Sequence, residues 1–359
     1  MAKTLVHYSL EIKKGQKFAI FGSDLAAPLV REVYREAVRA GAHVTVIPSM
    51  EGVAEIFLKE ASDEQLQFVS PLSRLVYETY DALLSIRGDY NTRSLSGVDP
   101  KRQALRAKAG AELSQVLLSR SAKGELRWCA TEYPTHASAQ EASMSLAEYE
   151  EFVFRACQVD QEDPVSRWRA MSEEQERIIG VVKEIDTLRI VGEDTDLTLR
   201  VKDRTWISAA GTHNFPDGEI FTGPVEDSAN GHIRFTFPAI HQGRSVEDVR
   251  LTFKDGKVVE ASARVGEEFL KALLNSDAGA CYLGEIGIGT NYGIQRFTRN
   301  ILFDEKIGGT IHLAVGSGYP ETGSKNQSGV HWDMICDLRN GGEIYGDGAL
   351  IYKDGKFVI

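Results

Sequence analysis

The chain has no Cys-x-x-Cys pair, no surplus of basic residues and no long apolar run, and each absence removes a class of protein. Its four cysteines, Cys129, Cys157, Cys281 and Cys336, are scattered, which reads as reduced core residues and not as a disulfide framework or a cysteine zinc site. Acidic residues outnumber basic ones by 52 to 41, for a net charge of −11. Without a basic excess to displace phosphate counterions, nucleic acid is excluded as a main partner. No apolar run reaches the length that crosses a bilayer, and Met1 to His7 lacks the charged, then apolar, then small pattern of a signal peptide. The expectation is a cytoplasmic protein without a membrane partner. Phe21-Gly-Ser-Asp24 lacks the spaced glycines of a dinucleotide loop and the Gly-Lys-Ser/Thr of a phosphate loop, so no organic-cofactor residues are assigned.

What is present divides the chain in two. At 359 residues it can build two domains, each with its own core. In the first half, Lys17 to Phe21 reads as a strand. Leu29, Val30, Val33, Tyr34 and Val38 recur at helical spacing, with Ser23 and Asp24 placed to cap that helix. Gly41 ends it and His43 to Ile47 starts the next strand, a βαβ unit. Further strands are expected at 82–86 and 126–129, and helices near 100–122 and 145–157. After a charged helix at 172–185 the pattern changes to alternation, at 197–201, 233–237 and 249–253. Asp255-Gly256 and Asp354-Gly355 sit between such runs as hairpin turns, and 266–275 is a helix with Phe269, Leu270, Leu273 and Leu274 on its apolar side. The expected class is mixed α/β, with an N-terminal α/β domain at 1–175 and a C-terminal mixed α+β metal-binding domain at 176–359.

The second half also carries the chemistry: Glu219, Glu285, His312, Tyr319, His331 and Asp333. In His331-Trp-Asp333, period two on an extended segment sends the imidazole and the carboxylate to one face and the indole to the other. Imidazole with carboxylate suits zinc, cobalt, manganese or ferrous iron and does not suit a calcium cage. His312, in Ile311-His-Leu-Ala-Val, taken alone reads more readily as a core histidine than as a ligand. Glu285 in Tyr282-Leu-Gly-Glu-Ile-Gly, and Glu219 in Pro216-Asp-Gly-Glu-Ile-Phe, are acids among apolar residues. Such placement is costly unless the charge is paired or metal-bound.

Pro216-Asp-Gly-Glu219-Ile-Phe-Thr-Gly-Pro, Gly284-Glu285, His312-x6-Tyr319 and His331-Trp-Asp333 together resemble the M29 metallo-aminopeptidases. Leu251-Thr-Phe-Lys-Asp-Gly-Lys-Val-Val-Glu, Leu302-Phe-Asp-Glu, Tyr133-Pro-Thr and Ala142-Ser-Met-Ser extend the likeness over nearly the whole chain. The resemblance implies two divalent metal ions (zinc, cobalt, manganese or magnesium) held by Glu219, Glu285, His312, His331 and Asp333. It implies Glu285 as the bridging carboxylate and Tyr319 as a catalytic residue that donates to the oxyanion. It further implies peptide substrates with a free N-terminus and a homodimer. Two positions depart from the family pattern: the His312–His331 segment is short, and Lys306 stands where an asparagine is expected. A different chemistry could use the same residues, since His312, His331 and Asp333 form a facial triad for one ferrous ion, as in the related 2,5-dihydroxypyridine dioxygenases. Against it, a one-iron site has no need of Glu219 and Glu285. A purely structural metal site would be closed and sulfur-rich, whereas this set is rich in oxygen.

Overall fold

The computed structural model describes residues 1–241 and 243–359, which fall into two compact units. The first comprises Met1–Val165 with Gly211–Pro216. Its sheet is parallel throughout, in the order His43–Ser49, Lys17–Ser23, Ala82–Arg87, Arg127–Glu132 and Asn214–Phe215. The expected βαβ unit forms: Ala27–Arg39 is the helix, and it buries Leu29, Val33 and Ala37 at i, i+4 spacing. Its expected side-chain cap does not. Asp24–Ala26 is a 3₁₀ turn with Pro28 at the helix start, and the Ser23 hydroxyl is buried without a hydrogen-bond partner. The Asp24 carboxylate instead accepts from the Leu25 N–H at 3.1 Å and the Tyr90 hydroxyl at 2.8 Å. The helices expected near 100–122 and 145–157 are Pro100–Ala122, capped by Asp99, and Leu146–Ala156, which opens on a Ser145/Glu148 capping box.

The second unit, Ser166–Ala210 with Asp217–Ile359, is built on two large antiparallel sheets, beside a two-stranded one of Ala239–His241 and Arg244–Val246. The charged helix runs from Pro164 to Val182, so the expected division at 175/176 falls inside it; Ile178 and Val182 from its C-terminal part join this unit's core. The larger sheet has eight strands, with Asn230–Phe235, Thr195–Arg200 and Thr187–Gly192 near its centre. Its strands alternate, as the buried-exposed pattern of Val249–Lys254 shows. Asp255 and Gly256 take φ of 49° and 79°, and Asp354 and Gly355 take 48° and 81°. Each pair closes a two-residue hairpin of the type whose twist matches the flanking strands.

The smaller sheet positions the site. Its order is His331–Asp337, Thr310–Gly316, Leu283–Gly289, Glu219–Thr222 and Ile207–Ala209. Leu283–Gly289 and Thr310–Gly316 are buried at every residue, unlike the alternating strands of the larger sheet. One face supplies Ile220, Ile286, Ile288, Leu313, Val315, Trp332 and Met334 to the hydrophobic core shared with Leu197, Ile233, Phe235 and Leu251. By strand alternation the other face receives Glu219, Glu285, Gly287, His312, His331 and Asp333. Both faces of these two central strands are therefore dry, and one of them is charged.

Candidate metal centre

The register of the smaller sheet brings residues far apart in sequence onto neighbouring strands. Glu285 pairs with Ala314, which pairs in turn with Asp333, while Gly289 pairs with Glu219 and Gly287 with His312. The glycine at 287 is required by the imidazole. A Cβ built there would lie 2.0 Å from His312 Cε1, so the ring lies across the neighbouring strand only because nothing projects from it.

Glu285 stands between the two imidazoles. Its Oε1 lies 3.2 Å from His312 Nε2 and its Oε2 lies 3.5 Å from His331 Nε2. His312 Nε2 is also 3.3 Å from Glu219 Oε2, and His331 Nε2 is 3.5 Å from Asp333 Oδ1. Each histidine has its other nitrogen on a backbone carbonyl: His312 Nδ1 is 3.2 Å from Glu305 O and His331 Nδ1 is 2.7 Å from Ser317 O. With Nδ1 donating to these carbonyls, Nε2 of the neutral ring carries the free lone pair and faces the carboxylates. This is the arrangement by which proteins orient metal-binding imidazoles.

All five expected ligands thus meet, in two overlapping sets. Ligand atoms of Glu219, Glu285 and His312 lie within 4.8 Å of one another, as do those of Glu285, His331 and Asp333. A third set, Glu305, His312 and Asp333, meets the same limit. Glu305 is a site residue that the ligand expectation left out, although it lies in the Leu302-Phe-Asp-Glu stretch. Tyr319 stands at the mouth, its ring edge-on to His331 at 5.2 Å and to Phe221 at 5.6 Å. The cluster is graded in depth: the His312 side chain is 1% exposed and that of His331 is 29% exposed.

Lys306 lies at the deep end. Its side chain is fully buried, paired with Glu305, and its Nζ is 3.5 Å from Glu219 Oε1. Burial alone would lower its pKa, but the Glu219, Glu305 and Asp217 carboxylates hold the ammonium above the usual lysine range. Asp304, just before this pair, accepts from the Thr298 N–H at 2.7 Å and hydroxyl at 2.8 Å, and fixes the approach to the turn.

Electrostatics reflect the crowding. Burial pushes the Glu219 and Glu285 carboxyls up. Burial would lower both imidazoles, yet Glu219 and Glu285 outweigh it at His312, and Asp333 with Glu285 outweighs it at His331. Each is pushed up to about 10. Burial would raise Asp333, but its neighbour His331 holds it below the usual carboxylate range. Desolvation, followed by the surrounding carboxylates, pushes the Tyr319 phenol well up, so it stays a hydrogen-bond donor at neutral pH.

A family model described as thermophilic metalloprotease (M29) matches residues 1–357. Aminopeptidase 2 of Geobacillus stearothermophilus is 31% identical, across 99% of this chain and 94% of its own. Among solved structures, wild-type AmpT from Thermus thermophilus superposes with a TM-score of 0.85 at 25% identity, over 100% of this chain and 98% of that one. The 2,5-dihydroxypyridine dioxygenase from Pseudomonas putida KT2440 superposes with a TM-score of 0.58 at 15% identity, over 97% and 93% respectively. That last likeness is one of fold alone.

Proposed function

The chain belongs to the M29 thermophilic metalloprotease family, and from that premise we propose that it removes N-terminal residues from peptides at a dinuclear metal centre. It is a peptide hydrolase of the aminopeptidase kind. Glu219, Glu285 and His312 would hold one divalent ion, and Glu285, His331 and Asp333 the other, with Glu285 bridging. The single observation that carries this reading is the Glu285 carboxylate between two imidazoles, each anchored through Nδ1 and each turning Nε2 inward. The fit is supported by Glu219 Oε2, a buried oxygen that makes no hydrogen bond and has His312 Nε2 3.3 Å away as its polar neighbour. Such an atom is costly to bury unless a cation meets it.

Divalent ions held there supply Lewis acidity, which polarises a carbonyl and makes water acidic enough to attack near neutral pH. The chain's own residues do the rest. Tyr319, at the open end, donates a hydrogen bond through its hydroxyl to the scissile carbonyl oxygen as that oxygen gains negative charge. The substrate's free α-amine would be received by one of the ions or by an acidic side chain at the site, which is how a chain end is distinguished from an internal bond. The buried walls, with Gly287 giving His312 its place, keep the ligands from relaxing when substrate enters.

No helix among the described residues is long and apolar enough to cross a membrane, and the setting we propose is the cytoplasm. The proposed assembly is the homodimer that the family resemblance implies. The test of the activity is digestion of one peptide in free and N-acetylated forms, followed by mass spectrometry. The expected result is a ladder of products shortened from the N-terminus for the free peptide, and an intact acetylated peptide. Internal cleavage of the acetylated form at a comparable rate would contradict the reading.

A further inference from the structure

The deep end of the cluster holds a charged side chain that the ligand set does not use. Lys306 is fully buried and its ammonium contacts two acids, Glu305 and Glu219. Its main chain is fixed as well: the N–H donates to Phe303 O at 3.1 Å, and the carbonyl accepts from the Asn291 N–H at 3.1 Å. A buried lysine is tolerated when acids pair with it, and here the pairing partner is also an expected metal ligand. At the open end the ion-pair partners of Glu285 and Asp333 are imidazoles, which become ligands once neutral. Of the two ends, the deep one therefore carries a cation that is not itself an expected ligand.

On the reading of the site as dinuclear, we infer that Lys306 is a built-in cation that makes the two metal subsites unequal. The Glu285–His331–Asp333 subsite binds its ion tightly. The Glu219–Glu285–His312 subsite binds weakly, because any ion on Glu219 must share that carboxylate with the ammonium 3.5 Å away. Two cations on one acid in a dry site repel strongly, and Coulomb attraction from Glu219 is already partly taken up. The chain thus keeps one ion through purification and recruits the second only when free metal is plentiful. Lys306 acts here through Glu219, as a positioning residue, and contacts neither expected ion as a ligand.

The test is binding of Mn²⁺ to the chelator-treated full-length chain by isothermal titration calorimetry, with metal content measured after desalting. The parent is expected to retain one equivalent and to bind a second more weakly by roughly 100-fold or more. Lys306→Met keeps the length and removes the charge, and it should bring the two affinities within about tenfold of each other and retain both ions. Lys306→Gln gives the same reading should the methionine variant fail to fold, as judged by circular dichroism. Glu219→Gln should remove only the weak equivalent, and Asp333→Asn the tight one. Two equal affinities in the parent would overturn the inference, as would an unchanged split in both neutral variants. If the parent binds no divalent ion, the fault lies with the metal reading itself, a result distinct from either of these.

Discussion

At Glu285 a single carboxylate answers to two imidazoles, one through each of its oxygens. Glu285→Gln preserves its size and removes the charge that the proposed dinuclear centre needs between its two cations. The expected outcome is loss of bound metal together with loss of turnover, measured side by side by elemental analysis and hydrolysis of an unblocked aminoacyl anilide. Tyr319→Phe removes only a hydroxyl from a ring held against His331 and Phe221. Its metal content should equal the parent's while kcat falls by about 10²–10³, the usual loss for one oxyanion donor; parental turnover would make Tyr319 a packing residue. At this scale the sequence was readable where chemistry and spacing coincide. His331 and Asp333 share a face, as period two requires. Glu305 and Lys306 were harder to assign. They sit in a turn after the short Ile301–Asp304 helix, and only the fold shows that this turn closes over His312 and Glu219.

At the level of elements, the site depends on two central strands that bury both faces. Sequence patterning separates a half-buried strand from a helix, and it found Val249–Lys254 and the flanking Asp-Gly turns. It does not distinguish a strand whose second face is apolar from one whose second face is a dry cluster of charge, because both read as continuous burial. Asp347-Gly348, at φ of 47° and 84°, carries the same hairpin signature as the two turns that were recognised. The Ser23 cap failed because a 3₁₀ turn came between strand and helix. The sharpest consequence at this scale concerns Gly287. In Gly287→Ala the new methyl would meet the His312 ring at 2.0 Å, so ring or strand must move. Overpacking of this kind costs about 1–3 kcal/mol. The expectation is a lower thermal midpoint and weaker metal retention, both compared with the parent, whereas an unshifted midpoint and full metal content would show that the ring has room to spare.

Over the whole molecule, every expected ligand belongs to the second unit, drawn from Glu219 to Asp333, so the site exists only when that unit is folded. Metal binding and folding are therefore linked, and the link depends on pH. In the chain without bound ions, His312 and His331 are pushed from an ordinary 6.5 up to about 10. A folded-state pKa above the unfolded value adds stability that is complete below about 6.5 and is lost as pH rises through about 10. On the proposed reading, bound ions would take the place of those protons. The gap in thermal midpoint between metal-loaded and chelated protein should therefore widen from pH 6.5 towards 10, as calorimetry at several pH values would show. A gap that narrows over this range would mean that the imidazoles are not ligands.

The central claim is that a divalent ion at this cluster is required for aminopeptidase action, and one measurement tests it most directly. The purified chain is chelated until its metal content is negligible, then titrated with Zn²⁺, Co²⁺, Mn²⁺ or Mg²⁺ while hydrolysis of an unblocked aminoacyl anilide and bound metal are followed together. The account predicts no activity at zero occupancy, and activity that returns with bound metal for at least one of these ions. Full activity in protein shown to be free of metal would contradict it.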